Sequence, residues 1–138
     1  MRPIPWDDSL ELGVADMDGE HREIVGRMNL VIAEMGRAND ERRIVTLMED
    51  LTLFTARHFA HEEASMRAHD YPALGAHKAE HDHLLAQLDC VSDRLGADGM
   101  AAVDDDLITF LHHWVVHHVV TMDAAFAHFL KHAEAEGR

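Results

Sequence analysis

The chain has 138 residues, 47% of them hydrophobic, and carries 26 acidic against 12 basic residues for a net charge of −14. This length predicts one domain, residues 1–138, with a single core. The negative charge disfavours nucleic acid and anionic membranes as partners. No apolar run approaches the roughly 20 residues that cross a bilayer, and the N-terminus lacks a signal-peptide pattern, so we expect a cytoplasmic protein.

Cysteine and histidine are the two residue types that bear on function. Cys90 is the only cysteine, which excludes an internal disulfide and a thiolate metal site. We expect it to be a small packing residue. Histidine occurs thirteen times, and imidazole is the commonest protein ligand for metal ions. The positions of the histidines therefore decide what they can do.

The first 15 residues hold two prolines and a glycine and show no helical periodicity. We expect them to form an extended arm that lies over the core and is anchored by Trp6. A first helix starts at Asp16 or Asp18, where an aspartate can cap it, and it ends in the segment 36–40. Its inward stripe recurs at steps of three and four residues and consists of His21, Ile24, Val25, Met28, Ile32 and Met35.

Three more helices follow the first. The second begins near Asn39 or Asp40 and ends before Pro72, because proline disfavours helix at the residue before it. The third carries an apolar stripe over 74–95 and ends in a turn at 96–99, and the fourth runs over about 100–133. No segment alternates with period two, so no strand is expected. The pattern predicts an all-α, up-down-up-down four-helix bundle over residues 16–133.

All four predicted helices carry metal-ligand residue types on their apolar faces. Burying so many imidazoles and carboxylates is unfavourable unless they are paired or bind a metal, so their joint occurrence favours a metal site over a core held by hydrogen bonds. The candidate ligands are His21, His58, Glu62, His77, His81, His118 and Asp123. Iron, manganese and zinc all suit this set, and two carboxylates suit a pair of ions better than one.

The spacing of these candidates fits helices, with one exception. His58–Glu62 and His77–His81 are four residues apart, so each pair shares a helix face. His118 and Asp123 are five residues apart, which a regular helix separates by about 140°. A π-bulge in the fourth helix would let them converge.

Two other metal motifs are incomplete. The HExxH motif of zinc proteases begins at His61 but has Ser65 in place of its second histidine. Ferritin-like di-iron bundles need two Glu-x-x-His pairs, and only Glu80–His83 has that spacing here. The histidines outside the candidate set are interpreted as solvated surface residues.

Four segments make the chain resemble the hemerythrin family, specifically its single-domain bacteriohemerythrins: LGVADMDGEHREIVGRMN, HFAHEE, HKAEH and FLHHWVVHHVVTMD. The family pattern is a histidine on the first helix, then HxxxE, HxxxH and HxxxxD, and all seven positions are filled. A tryptophan four residues before and an aspartate five residues after select His118 rather than His117 as the fourth-helix ligand.

The resemblance implies a di-iron centre with an oxo or hydroxo bridge. His77, His81 and His118 would bind one iron, His21 and His58 the other, and Glu62 and Asp123 would bridge them. The iron with two histidines keeps an open position at which dioxygen binds reversibly. Trp114 and Val115 are expected to line the dioxygen pocket, with Ile24 and Phe59 as further candidates.

The resemblance therefore favours a dioxygen-binding protein for storage, delivery or buffering, and not an enzyme. One alternative is a redox enzyme that turns over peroxide, nitric oxide or ferrous iron, and another is an oxygen or iron sensor. An enzyme would need a proton donor near the open iron. Glu63 and Tyr71 are candidates, although Glu63 should point away from Glu62 by about 100°.

Overall fold

The computed structural model describes residues 3–6, 8–37, 41–98 and 105–135, and within these it is helical without strands. The elements are α1 (Ala15–Arg37), α2 (Glu41–Ala68), α3 (Leu74–Asp98), α4 (Asp105–His118), a π-helical turn (Val119–Asp123) and α5 (Ala124–Ala135). Because α4, the π turn and α5 are continuous, they form the fourth helix of the bundle. The predicted all-α four-helix bundle is confirmed. The predicted start of the fourth helix, near Met100, lies outside the described residues.

The N-terminal arm is held against the bundle by more residues than the sequence indicated. Trp6 is half-buried and packs against the core, as expected of an anchor, and Ile4 and Leu10 are 2% and 1% exposed. The backbone of Ile4 exchanges two hydrogen bonds with the side-chain amide of Asn29 on α1, at 2.6 and 3.0 Å. The arm also contains a short 3₁₀ turn, Asp8–Leu10. Aliphatic burial and a backbone anchor therefore add to the contact of the tryptophan.

The start of α1 is fixed by a buried aspartate. The carboxylate of Asp18 accepts hydrogen bonds from the backbone N–H groups of Leu12 and Gly13, at 2.8 and 3.0 Å. Gly13 has a φ of +80°, a left-handed conformation that favours glycine. A Cβ atom there would also lie 2.6 Å from Nζ of Lys131 on α5. This junction joins the arm to both the first and the fourth helix.

The helix ends explain the connections. Helix α2 ends in a Schellman motif: the N–H of Tyr71 donates to the carbonyl of Met66, the N–H of Asp70 donates to that of Arg67, and Asp70 has a φ of 51°. The chain then turns through Pro72 into α3, as predicted. The turn predicted at 96–99 is wrong for residues 96–98, which still belong to α3, and residue 99 lies outside the described residues.

The core is built from the inward stripes of the helices and is rich in methionine. Met28, Met35, Met48 and Met66 are at most 1% exposed. Cys90 is exposed, so the expectation that it packs in the interior was wrong. No described helix is long and apolar enough to cross a membrane.

Candidate metal centre

All seven candidate ligands converge at one place inside the bundle, and none is more than 5% exposed. The structure forms two groups in which the potential ligand atoms all lie within 4.8 Å of one another. One group contains Glu62, His77, His81, His118 and Asp123, and the other contains His21, His58, Glu62 and Asp123. The two carboxylates are thus common to a three-histidine group and a two-histidine group.

Asp123 directs one oxygen to each histidine group. Its Oδ1 lies 3.0 Å from Nε2 of His77 and 3.1 Å from Nε2 of His118. Its Oδ2 lies 2.9 Å from Nε2 of His21. A carboxylate in this orientation can bridge two ions, one held by each group.

Glu62 is arranged in the same way. Its Oε1 lies 3.1 Å from Nε2 of His81 and 3.4 Å from Nε2 of His77. Its Oε2 lies 2.7 Å from Nε2 of His58 and 3.5 Å from Nε2 of His21. Two carboxylates therefore divide their oxygens between the same two sets of imidazoles, an arrangement with room for two ions and two bridges.

The π-helical turn brings the fourth-helix residues together. His118 is the last residue of α4, and Asp123 is the last residue of the turn that follows it. The extra residue in this turn compensates for the five-residue spacing, which a regular helix would place on different faces. His117 is exposed, and its ring stacks on that of His113 at a centroid distance of 5.0 Å. The structure thus places His118, and not His117, in the cluster.

Two carboxylates that the sequence did not assign hold the outer nitrogens of the candidate ligands. Oε1 of Glu20 lies 3.0 Å from Nδ1 of His58, and Oε2 of Glu63 lies 2.9 Å from Nδ1 of His81. Each contact makes Nδ1 a hydrogen-bond donor and leaves the Nε2 lone pair directed at the cluster, as a metal ligand requires. Glu63 does point away from Glu62, but that direction faces His81 on α3.

The charge balance of the cluster shifts several pKa values. Burial alone would lower the pKa of His21, but its contacts with Asp123 and Glu62 raise it to about 9. His77 has the same opposing influences and a pKa of about 9. Burial would raise the pKa of Glu62 and of Asp123, yet the surrounding imidazoles hold both well below the usual carboxyl range. Without a metal, the cluster therefore favours charged carboxylates beside protonated histidines.

Many polar atoms of the cluster lack a hydrogen-bond partner. Whether a metal ion would satisfy these atoms tests whether the residues fit a metal. The buried atoms without a hydrogen-bond partner include both ring nitrogens of His21 and His118, both oxygens of Glu62, and Nε2 of His58 and of His81. Buried polar atoms are rarely left in this state. Metal coordination would satisfy the Nε2 atoms and the carboxylate oxygens directly, although not Nδ1 of His21 and of His118, so the donor set fits a pair of ions.

A small apolar cavity borders the cluster, where His21 and His58 of the two-histidine group, His118 of the three-histidine group and Asp123 line it. Its lining includes the four residues that the sequence proposed, Ile24, Phe59, Trp114 and Val115, together with Val119. The cavity holds about 10 Å³ of free space, roughly that of one water-sized molecule. The ring of Phe59 stacks on His81, with centroids 3.8 Å apart, and separates the cavity from that ligand.

Fold and site together define a class of protein: a four-helix bundle with a buried histidine–carboxylate cluster compatible with a pair of bridged metal ions. The model of the hemerythrin HHE cation binding domain matches residues 12–130, so the chain belongs to the hemerythrin family. It is 34% identical to a bacteriohemerythrin of Ralstonia nicotianae over 138 residues, covering all of this chain and 96% of the relative.

Similarity extends to animal members of the family. The chain is 26% identical to a myohemerythrin of Riftia pachyptila over 121 residues, which is 88% of each chain. A crystal structure of a hemerythrin mutant superimposes with a TM-score of 0.81 at 25% identity, covering 92% of this chain and 96% of the other. The predicted membership of this family is therefore confirmed.

Proposed function

We propose that this protein binds dioxygen reversibly at a carboxylate-bridged pair of iron ions, and that it stores, delivers or buffers dioxygen and is not an enzyme. The observation that carries this proposal is the division of the carboxylate oxygens of Glu62 and Asp123 between a three-histidine and a two-histidine group. The second group offers one ligand fewer, so an ion there retains a free coordination position. Both histidines of that group, His21 and His58, line the apolar cavity, together with His118 and Asp123.

In this proposal each ligand residue has a definite role. His77, His81 and His118 would bind one iron, His21 and His58 would bind the other, and Glu62 and Asp123 would be shared by both. Glu20 and Glu63 orient His58 and His81 through their Nδ1 atoms. When bound, the iron pair supplies the electrons that dioxygen takes up on binding and returns on release. The hemerythrin family is known for oxygen binding at such a centre.

The apolar cavity supports reversible binding over irreversible oxidation. The side chains of Trp114 and Val115 are 5% and 2% exposed and carry no acidic proton into the cavity. The indole N–H of Trp114 donates to the carbonyl of Leu84, at 3.3 Å, and is therefore occupied. A lining of this kind admits a small apolar gas and excludes water and anions, which would otherwise release reduced oxygen species.

Visible absorption tests the proposal. The iron-loaded protein is reduced without air, exposed to dioxygen, and then purged with inert gas. We expect an absorption band that appears with dioxygen and disappears on purging through repeated cycles. A band that persists after purging would contradict reversible binding, and failure to retain two iron ions per chain would contradict the centre itself.

A redox enzyme at the same centre is the second candidate, and one contact favours it. Oε2 of Glu20 lies 2.8 Å from Nδ1 of the exposed His61, while Oε1 contacts the buried His58. This chain of hydrogen bonds connects solvent with a candidate ligand and could conduct protons during turnover. Sustained consumption of peroxide or nitric oxide with an electron donor, diminished in His61→Ala, would favour the enzyme over the carrier.

A further inference from the structure

Two cavities beside the cluster differ in size and polarity. The apolar cavity next to Val115 holds about 10 Å³, too little for an ion with its water shell. A second cavity, of about 360 Å³, lies between the start of α1, the C-terminal half of α2, and α5. Its wall includes Glu62, one of the two shared carboxylates. The larger cavity therefore extends from the surface to Glu62, whose side-chain oxygens themselves lie buried behind its wall.

Polar side chains on two helices line the mouth of this larger cavity. Asp16 and Glu20 are one turn apart on α1, and His61 and Ser65 are one turn apart on α2. The two rows meet where Oε2 of Glu20 lies 2.8 Å from Nδ1 of His61. Asp16 and His61 are exposed and Glu20 is half-buried, so the groups follow one another from solvent inwards.

The inner end of this path is a buried carboxylate. Glu62 is 3% exposed, and its side-chain oxygens lie 2.7–3.5 Å from imidazole nitrogens without the geometry of a hydrogen bond. Glu20 also connects the mouth of the larger cavity to the cluster, because its Oε1 contacts Nδ1 of the candidate ligand His58. Oxygen and nitrogen donors suited to ferrous or manganous ions thus extend from the surface to both halves of the cluster.

We propose that Asp16, Glu20 and His61 form a loading site, which captures a hydrated divalent cation from solvent and passes it to Glu62. The proposal rests on the proposed function only in requiring that the cluster bind metal. Two carboxylates at the mouth concentrate cations there, and each donor along the path can replace a water ligand in turn. The apolar cavity cannot serve, since its free space of about 10 Å³ is too small for a hydrated ion and removing the water shell of an ion is strongly unfavourable.

The kinetics of metal uptake test the loading site. Metal-free protein is mixed with Co²⁺ in a stopped-flow instrument, and the visible bands of the coordinated ion report uptake. The test variant is D16N/H61Q, which leaves Glu20 and its contact with His58 in place. The matched control, D89N/H132Q, makes the same changes at exposed positions of α3 and α5. We expect metal uptake to be about tenfold slower in the test variant than in the unmodified protein. In the control, uptake should be as fast as in the unmodified protein.

The end point of loading separates a loading role from a ligand role. We expect both variants to reach two ions per chain with the same spectrum as the unmodified protein, and added salt to reduce the difference in rate. Equal rates would overturn the proposal, as would a lower final content or a changed spectrum in D16N/H61Q. If circular dichroism shows that this variant does not fold, the single variant H61Q is tested in its place. We then expect a smaller decrease in the rate of metal uptake. An unmodified chain that binds fewer than two ions would instead overturn the proposed function.

Discussion

Nε2 of His118 lies 3.1 Å from Oδ1 of Asp123, although the two residues are five positions apart on one helix. The π-helical turn Val119–Asp123 makes this contact possible, because it adds one residue to the helix between them. It is the local distortion through which the fourth helix contributes two ligand-type residues instead of one.

Adding one more residue to the π turn should dismantle the centre. Inserting an alanine after the exposed Thr121 would rotate α5, together with Asp123, by about 100° relative to α4. We expect the variant to bind at most one iron ion per chain, as measured by metal analysis after gel filtration.

The control for this insertion is Thr121→Ala, which removes the hydrogen bond from the Thr121 hydroxyl to the carbonyl of His117 but keeps the register. It should retain two ions and lose about 1 kcal/mol of stability or less. Two ions in the insertion variant would show that the register of α5 relative to α4 does not determine the site.

The two adjacent histidines of the fourth helix should respond differently to substitution. His118→Ala removes a buried member of the three-histidine group, so we expect loss of at least one iron ion per chain. His117→Ala changes an exposed ring that stacks on His113, and we expect full iron content and an unchanged spectrum. The opposite result would place the fourth-helix ligand one residue earlier.

The wall of the apolar cavity should control the rate of irreversible oxidation. Val115→Thr keeps the side-chain shape but adds a hydroxyl to a residue that is 2% exposed, which should destabilise the fold by about 1–3 kcal/mol. By attracting water to the cavity, it should accelerate spontaneous oxidation of the dioxygen-bound form, followed by absorption over time. The neighbouring half-buried Val116, which is not part of the lining, provides the matched control Val116→Thr. Equal oxidation rates in the two variants would exclude Val115 from the pocket.

Glu63 should strengthen metal binding without being a ligand. Its contact with Nδ1 of His81 fixes the orientation of that imidazole, so Glu63→Ala should weaken metal affinity about 10- to 100-fold. Glu63→Gln retains an acceptor oxygen and should lose less. Glu49→Ala, at an exposed position of α2, is the control for loss of a carboxylate. Competition with a chelator measures the metal affinity of all three variants. Equal metal affinities in Glu63→Ala and in the control would refute this role of Glu63.

The features that were predictable from sequence share the periodicity of a helix. The stripes that define the four helices also carry His21, His58 and His77, so the same pattern gave both the fold and the convergence of the seven candidates. The five-residue interval between His118 and Asp123 indicated a π-bulge, since no regular helix could align them. Local spacing was therefore informative wherever both residues lie on one helix.

What the sequence missed depends on how neighbouring helices pack. The contacts of Glu20 with His58 and of Glu63 with His81 each join two helices, and spacing along a single helix contains no information on them. The same reason explains Cys90, whose position in its helix turned out to face solvent. Contacts between helices are set by packing, which periodicity does not resolve.

The metal-free and metal-loaded proteins should respond to pH in opposite directions. In the metal-free cluster the pKa values of His21 and His77 are raised from 6.5 to about 9 by Asp123 and Glu62. A raised pKa means that protonation stabilises the folded state, fully below pH 6.5, and that this contribution is lost as the pH rises through 9. Metal binding instead requires neutral imidazole, so acid weakens it.

Urea unfolding measures how the stability of the metal-free and of the metal-loaded protein depends on pH. Between pH 6.5 and 9.5 the free energy of unfolding of the metal-free protein should fall by about 3 kcal/mol for each of the two histidines. Over the same interval the iron-loaded protein should keep or gain stability, because hydroxide removes the protons that compete with the metal. His77→Gln should show a smaller fall than the unmodified metal-free chain. A metal-free protein whose stability does not change over this interval would mean that His21 and His77 are neutral in the folded state, and that Asp123 and Glu62 are not held by ion pairs with them.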